Sequence, residues 1–332
     1  MRDVVIVNAS TKKGLLTMNT TYTNQRAWKE VEDFLPEKYH YTETYHPKEE
    51  LWNWRGNRVH LDTFRNKKAK AKIIMFHGVG TNGRQISMII GGPLALDGYE
   101  TISVDMPNYG VTQVGKGQNI SYDDWVQCGS DLIDKELDRD DRPIFLYGLS
   151  AGGMETYHVA VKNKKVKGII GMTFLDQRSR DVQMTTTSNW FWGMFATRLT
   201  EFAVNFGLSR FKMKMSIPSK MSALVNDPDC LKVMLKDRTS GGNKVSMRFI
   251  NTYMSYKPEV EPEDFTVCPV LLTQPEADKW TPQRLSDPFL DRLTHVKVTR
   301  TLLRNGSHYP IEATALTDLH KAVLDFIDDN LN

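Results

Sequence analysis

The pentapeptide Gly148-Leu149-Ser150-Ala151-Gly152 stands directly behind the apolar run Pro143-Ile144-Phe145-Leu146-Tyr147. The residues after it, Gly153 to Val161, read as a helix. A buried strand, a sharp turn at a serine and then a helix constrain this chain more than any other feature. The serine on such a turn holds its hydroxyl outward, and side chains two residues to either side would clash. Glycine and serine are also common in ordinary turns. The pentapeptide therefore takes its meaning from the strand before it and from what the rest of the chain supplies.

Around it, strands alternate with helices. Val59 to Phe64 alternates as a strand, and Lys72 to Phe76 is a continuous apolar strand bounded by His77-Gly78-Val79-Gly80. A helix is expected from about Arg84 through Leu96. Thr101 to Val104 is the next strand, closed by Asp105-Met106-Pro107-Asn108-Tyr109-Gly110. Ser121 reads as the N-cap of a helix running to about Leu137, with Asp123 and Asp124 in its first turn. Lys167 to Phe174, Cys268 to Thr273 and Val296 to Leu303 read as further strands, and Glu312 to Asn330 as a closing helix. Such βαβ units predict an α/β fold with a mostly parallel central sheet and helices on both faces.

That rhythm breaks at about Arg178 and resumes near Pro262. We therefore expect a core from 56–177 and 263–332, interrupted by a helical cap insertion at 178–262. Residues 1–55 are polar and aperiodic and form an N-terminal extension of unassigned role. With 332 residues, 40% hydrophobic and 25% charged, the chain can bury a large core. A net charge of +3 is too small to argue for nucleic acid or an anionic membrane. The basic run from Arg65 to Lys72 reads as a solvated turn. Three dispersed cysteines, Cys128, Cys230 and Cys268, indicate buried thiols and neither a disulfide framework nor a zinc site. Neither a signal-peptide core nor a transmembrane run of about 18 apolar residues is present, so a cytoplasmic location is expected.

A serine hydroxyl needs a base within hydrogen-bond reach. His308 is the candidate, in a loop between the last strand and the final helix, because loops that follow parallel strands gather on one edge of the sheet. The base needs an acid to hold its tautomer. Asp278 follows the strand Val270 to Thr273, Asp176 leaves the same edge after Phe174, and Glu276 is a third choice. Negative charge on a former carbonyl oxygen calls for aimed N–H groups, and Val79 and Ala151 are placed to supply an oxyanion hole.

These residues resemble the α/β-hydrolase superfamily from about Val59 to Asn330, through His-Gly-x-Gly, Asp105-x-Pro107-x-x-Gly110, Gly148-x-Ser150-x-Gly152, Asp278 and His308 in that order. The resemblance is to the capped branch of monoacylglycerol lipases, lysophospholipases and related serine hydrolases, some of which open N-acyl-homoserine lactones. Asn108 stands where many relatives have glycine. The turn at 77 lacks the triple glycine of hormone-sensitive-lipase-like esterases. A serine at 150 argues against dehalogenases and epoxide hydrolases, which use an aspartate there. The resemblance implies a serine hydrolase of an acyl ester or lactone small molecule, needing no metal or organic cofactor. Amidase, acyltransferase and non-catalytic receptor are the competing readings. Trp190, Trp192, Met194 and Phe195 in the cap are expected to line an acyl slot, along with Phe191, Phe202 and Phe206. Oligomeric state is not encoded in any recognisable pattern.

Overall fold

Branched and aromatic runs without polar alternation are buried on both sides, so they form the middle of the sheet. The computed structural model describes residues 4–6 and 21–331, with side chains from residue 21 onward. In chain order its first half contains β1 (Val4–Ile6), α1 (Ala27–Glu32), β2 (Lys48–Trp54), β3 (Asn57–Phe64), β4 (Lys72–Phe76), α2 (Gly83–Ile86), α3 (Gly92–Leu96), β5 (Glu100–Asp105), α4 (Tyr122–Arg139), β6 (Ile144–Gly148), α5 (Ala151–Asn163) and β7 (Gly168–Gly171). The insertion follows, with α6 (Arg180–Thr186), α7 (Trp190–Asn205), β8 (Lys212–Lys214), α8 (Pro228–Lys236), β9 (Lys244–Ser246) and α9 (Met247–Ser255). The chain closes with β10 (Val270–Pro275), α10 (Asp287–Leu290), β11 (Val298–Leu303) and α11 (Ala313–Asp329).

The described strands of the main sheet run in the order β1-β2-β3-β5-β4-β6-β7-β10-β11. From β5 to β11 every neighbouring pair is parallel, whereas β1, β2 and β3 add antiparallel at one edge. Helices pack around this mostly parallel sheet, as expected for an α/β-hydrolase fold. The expected helix over 84–96 is helical throughout, but Ser87–Gly91 widens into a π turn. Pro93 has no N–H and its ring crowds the carbonyl four residues back, which accounts for the widening. Ser121 caps α4 as expected, accepting from Asp124 N–H, and Asp124 returns a bond to Ser121 N–H at 2.8 Å. Between its loops the insertion carries helices and one short antiparallel pair, β8–β9.

Residues 21–55 are structural parts of the core. β2 pairs with β3 around a turn at Arg55 and Gly56, both at positive φ. Its Glu49 bonds His60 at 2.9 Å, and Arg84 forks onto Asp62 at 2.5 and 2.9 Å. Burial opposes charge on His60, but its close contacts with Asp105 and Glu49 and the charges of Asp105 and Asp62 outweigh it and push the imidazole up to about 10. The basic run at 65–72 is only partly the solvated turn expected. Lys67, Lys68 and Lys70 are exposed, but Arg65 pairs with Glu50, Glu100 and Glu136 at 2.8–2.9 Å. Lys72 is fully buried and donates to the carbonyls of Glu136 and Asp140 at 2.6 and 2.9 Å. Charges on β2, β5 and α4 thus claim Arg65 at one end of the run, and carbonyls at the end of α4 claim Lys72 at the other. The three cysteines are free and buried.

One core group lacks such partners. Glu155, on α5, is fully buried, and neither carboxyl oxygen has a hydrogen-bond partner among the described residues. Burial pushes its carboxyl well above the ordinary 4.5. The folded chain therefore keeps a proton that the unfolded chain releases above about pH 4.5, and stability falls as pH rises. Replacing Glu155 with glutamine removes this dependence. In urea unfolding across the pH range, the variant should gain on the parent by up to about 1.4 kcal/mol per pH unit above about pH 5. Parallel stability curves for the two proteins would show that Glu155 is not held neutral.

Candidate active site

Ser150 ends β6 and starts α5 in a conformation that L residues rarely adopt, φ +58° and ψ −120°. The strain is sustained by close packing on either side. A Cβ on Gly148 would lie 2.0 Å from the carbonyl oxygen of Gly152, and one on Gly152 would lie 2.4 Å from that of Phe76. Only glycine fits at both places, so the turn closes tightly and lifts Ser150 above the sheet's carboxyl edge.

His308 and Asp278 meet on the same edge, in the loops after β11 and β10. Nδ1 of His308 is 2.8 Å from Oδ2 of Asp278, and both residues are buried. The aspartate is itself held by Trp280 N–H at 2.7 Å, Thr281 N–H at 2.8 Å and the Thr281 hydroxyl at 2.7 Å. Burial raises the Asp278 carboxyl, but the charge and hydrogen bond of His308, with those of Thr281, prevail and hold it at about 2. The Trp280 ring lies against the imidazole at 4.8 Å between centroids. Nε2 of His308 is buried and has no hydrogen-bond partner among the described residues, Ser150 Oγ included. Asp176 is engaged by Arg178 at 2.7 Å, and Glu276 is exposed and accepts from Asn305 N–H. Neither is bonded to His308.

The loop after β4 lies directly beside the serine turn. A Cβ on Gly78 would come within 2.8 Å of Ser150 Cβ. Its path is fixed by His77, whose Nε2 accepts from Met106 N–H at 3.0 Å. That bond leaves the proton on Nδ1, which donates to Gly78 O at 2.8 Å and so orients the peptide carrying Val79 N–H. The Tyr109 hydroxyl donates to Val79 O at 3.0 Å. Ala151 opens α5, where first-turn N–H groups have no partner within the helix.

Val79, Ser150, Trp280 and Thr281 floor a narrow cavity of about 60 Å³, roofed from the insertion by Ala196, Met215, Ile250 and Met254. No charged side chain lines it. The aromatic residues expected to form this slot do not. Trp190 is 66% exposed and Met194 43%, while Trp192 and Phe195 are half-buried, and none of the four lines the cavity. On α7 the fully buried positions are small, Gly193, Ala196 and Thr200, while Trp190, Phe191, Met194 and Leu199 are turned outward. Sequence reasoning also missed Thr281, His77 and Tyr109. Their one signal was proximity to the candidate aspartate and to the His-Gly-x-Gly and Asp-x-Pro-x-x-Gly turns. Among the described residues, Glu49, His60 and Asp62 come close enough to share a metal ion. Their ligand atoms are already taken up by one another and by Arg84.

The bonds to Asp278 have a measurable consequence. Its carboxyl sits below the 3.8 of an unfolded aspartate, so its contribution is complete above about pH 4 and lost as pH falls toward 2. Thr281→Val deletes one donor and spares both backbone bonds. Chemical denaturation should show about 1 kcal/mol lost at neutral pH and a shallower decline between pH 4 and 2. Identical acid limbs would show that the hydroxyl does not support the carboxylate.

A family model described as serine aminopeptidase, S33, matches residues 67–312. No curated protein matches the chain by sequence. Among solved structures, a soluble variant of monoglyceride lipase from Saccharomyces cerevisiae, bound to a substrate analog, superposes with a TM-score of 0.72 at 17% identity, covering 88% of this chain and 98% of that one. A carboxyl esterase from Bacillus coagulans gives 0.67 at 14% identity, over 86% and 99%. The monoacylglycerol lipase of Paleococcus ferrophilus gives 0.63 at 18%, over 82% and 99%. At these identities the likeness is one of fold, and the match over 67–312 places the chain in the serine aminopeptidase (S33) family of α/β-hydrolases.

Proposed function

We propose that this hydrolase cleaves a carboxylic ester with an uncharged, apolar acyl group through an acyl-enzyme on Ser150. The observation that carries the reading is the state of His308. Its Nδ1 is committed to Asp278, so Nε2 is the nitrogen left to exchange a proton, in a buried site on the edge where Ser150 is raised. In the reaction Ser150 Oγ forms a bond to the acyl carbon while its proton passes to Nε2. The carbonyl π pair moves onto oxygen, where Val79 and Ala151 N–H groups receive the charge. Collapse breaks the acyl–oxygen bond, and Nε2 returns its proton to the departing alcohol. Water repeats the sequence in the second half, releasing the carboxylic acid and restoring the serine.

The cavity's chemistry favours ester over aminopeptide. A peptide's free α-amine is cationic and calls for a carboxylate near the nucleophile, whereas the lining carries no charge and presents a mostly apolar surface. A lactone presents the same acyl carbon and fits the same steps.

Ser150→Ala should lower kcat about a thousandfold or more, with the fold kept by circular dichroism, and abolish stoichiometric labelling by a fluorophosphonate probe. Undiminished turnover by the variant would remove Ser150 from the reaction. Ala196 faces the cavity from α7, so Ala196→Leu should shorten the slot. The kcat/KM for a long-chain nitrophenyl ester should fall by about tenfold more than that for the acetate, since one to two buried methylenes discriminate on that scale. Equal losses on both esters would place the acyl chain elsewhere.

A further inference from the structure

The apolar residues that the cavity does not use gather on one outer surface of the insertion. Trp190, Phe191 and Phe202 stand on the outer side of α7 and Phe206 caps its end, with Phe202 57% and Phe206 68% exposed. Leu208 and Phe211, in the turn that follows, are also more than half exposed. They are not scattered singly. The Phe202 and Phe206 rings are 4.0 Å apart, and the Trp190 and Phe191 rings 6.4 Å apart. An apolar surface of this kind on a soluble body marks a place of contact.

Charge decides what the contact is with. The chain as a whole is nearly balanced, 43 basic against 40 acidic residues. Between Phe191 and Lys220, however, the bases are Arg198, Arg210, Lys212, Lys214 and Lys220, and the single acid is Glu201. Lys236, Arg238 and Lys244 line a groove with Lys212 and Lys214 and extend the basic edge. A second copy of the chain would bring a like-charged surface against this one, which is unfavourable. A bilayer with anionic headgroups matches both features: its interface accepts aromatic side chains, and its surface potential attracts lysine and arginine. We propose that the outer face of α7 and the segment through Lys214 form an interfacial docking surface for an anionic lipid membrane. Among the described residues no helix is long and apolar enough to cross a membrane. The proposal rests on exposure and charge alone and does not require the ester chemistry at Ser150.

The full chain can be sedimented with vesicles of phosphatidylcholine, and with vesicles in which part of that lipid is replaced by phosphatidylglycerol. The protein should pellet with the phosphatidylglycerol vesicles, stay in solution with phosphatidylcholine alone, and be released by high salt. The double variants Phe202→Ser/Phe206→Ser and Lys212→Glu/Lys214→Glu should each weaken binding about tenfold or more, with unchanged thermal unfolding midpoints. No pelleting with phosphatidylglycerol, equal pelleting with both lipids, or undiminished binding by both variants would overturn the proposal. So would sedimentation equilibrium showing a dimer that Phe202→Ser/Phe206→Ser dissolves, because the surface would then belong to a second copy.

Discussion

The carboxylate of Asp105 ties the sheet to the loop beside the serine. It is fully buried and accepts from Tyr22 OH at 3.0 Å, Gly83 N–H at 2.7 Å and Val111 N–H at 2.9 Å. His60 Nδ1 stands 3.0 Å away as an ion-pair partner. The charge is thus shared among an N-terminal tyrosine, the strand β3, the start of α2 and the turn after β5. Burying one carboxylate is expensive, and only this full set of partners makes it tolerable. Removing one partner from such a set typically loses about 3–5 kcal/mol. The next residue, Met106, fixes the tautomer of His77, and His77 in turn fixes the Gly78–Val79 peptide. A buried charge and the direction of one N–H beside Ser150 are therefore parts of one hydrogen-bonded chain.

That chain separates what the sequence could and could not reveal. The parallel strands were legible because burial on both faces writes itself as unbroken apolar runs, as in Lys72–Phe76 and Ile144–Gly148. The serine turn was legible because two glycines are required by contact distances that no other residue satisfies. Gly110 belongs to the same class, since a Cβ there would lie 1.9 Å from Asp105 Cγ. Asn108, which replaces the glycine of many relatives, keeps a left-handed turn at φ +82°, a conformation asparagine tolerates. β2 was illegible for the opposite reason. Its Lys-Glu-Glu start reads as surface, yet Glu49 and Glu50 are consumed by His60 and Arg65, partners too distant in sequence to be seen.

The insertion misled because hydrophobicity identifies a contact without saying which side it faces. Trp190, Phe191 and Met194 mark α7 as apolar, and an apolar helix over a cavity is naturally taken to fill it. The packing follows the smallest residues instead. Gly193, Ala196 and Thr200 recur at three and four positions, a spacing that puts them on one face and lets the helix lie close to the body. The slot is then shaped by side chains from the following segment and from α9, Met215, Ile250 and Met254, which carried no distinctive pattern. A helix with small residues inward and aromatic residues outward shapes a cavity and offers a surface with the same turn.

Two buried groups without partners show how differently the same physical condition can be used. Glu155 and Nε2 of His308 each lack a hydrogen bond among the described residues. Glu155 escapes the penalty by holding its proton, since a neutral carboxyl is far less costly to bury than a carboxylate. His308 cannot settle in that way if it is to serve the proposed reaction. In the proposed reaction a partner on Nε2 would occupy the position that the Ser150 proton must reach, whereas Asp278 on Nδ1 keeps the ring oriented. Stability is given up at the one nitrogen where a bond would block the proposed chemistry, and the bonds around Asp278 make that loss tolerable.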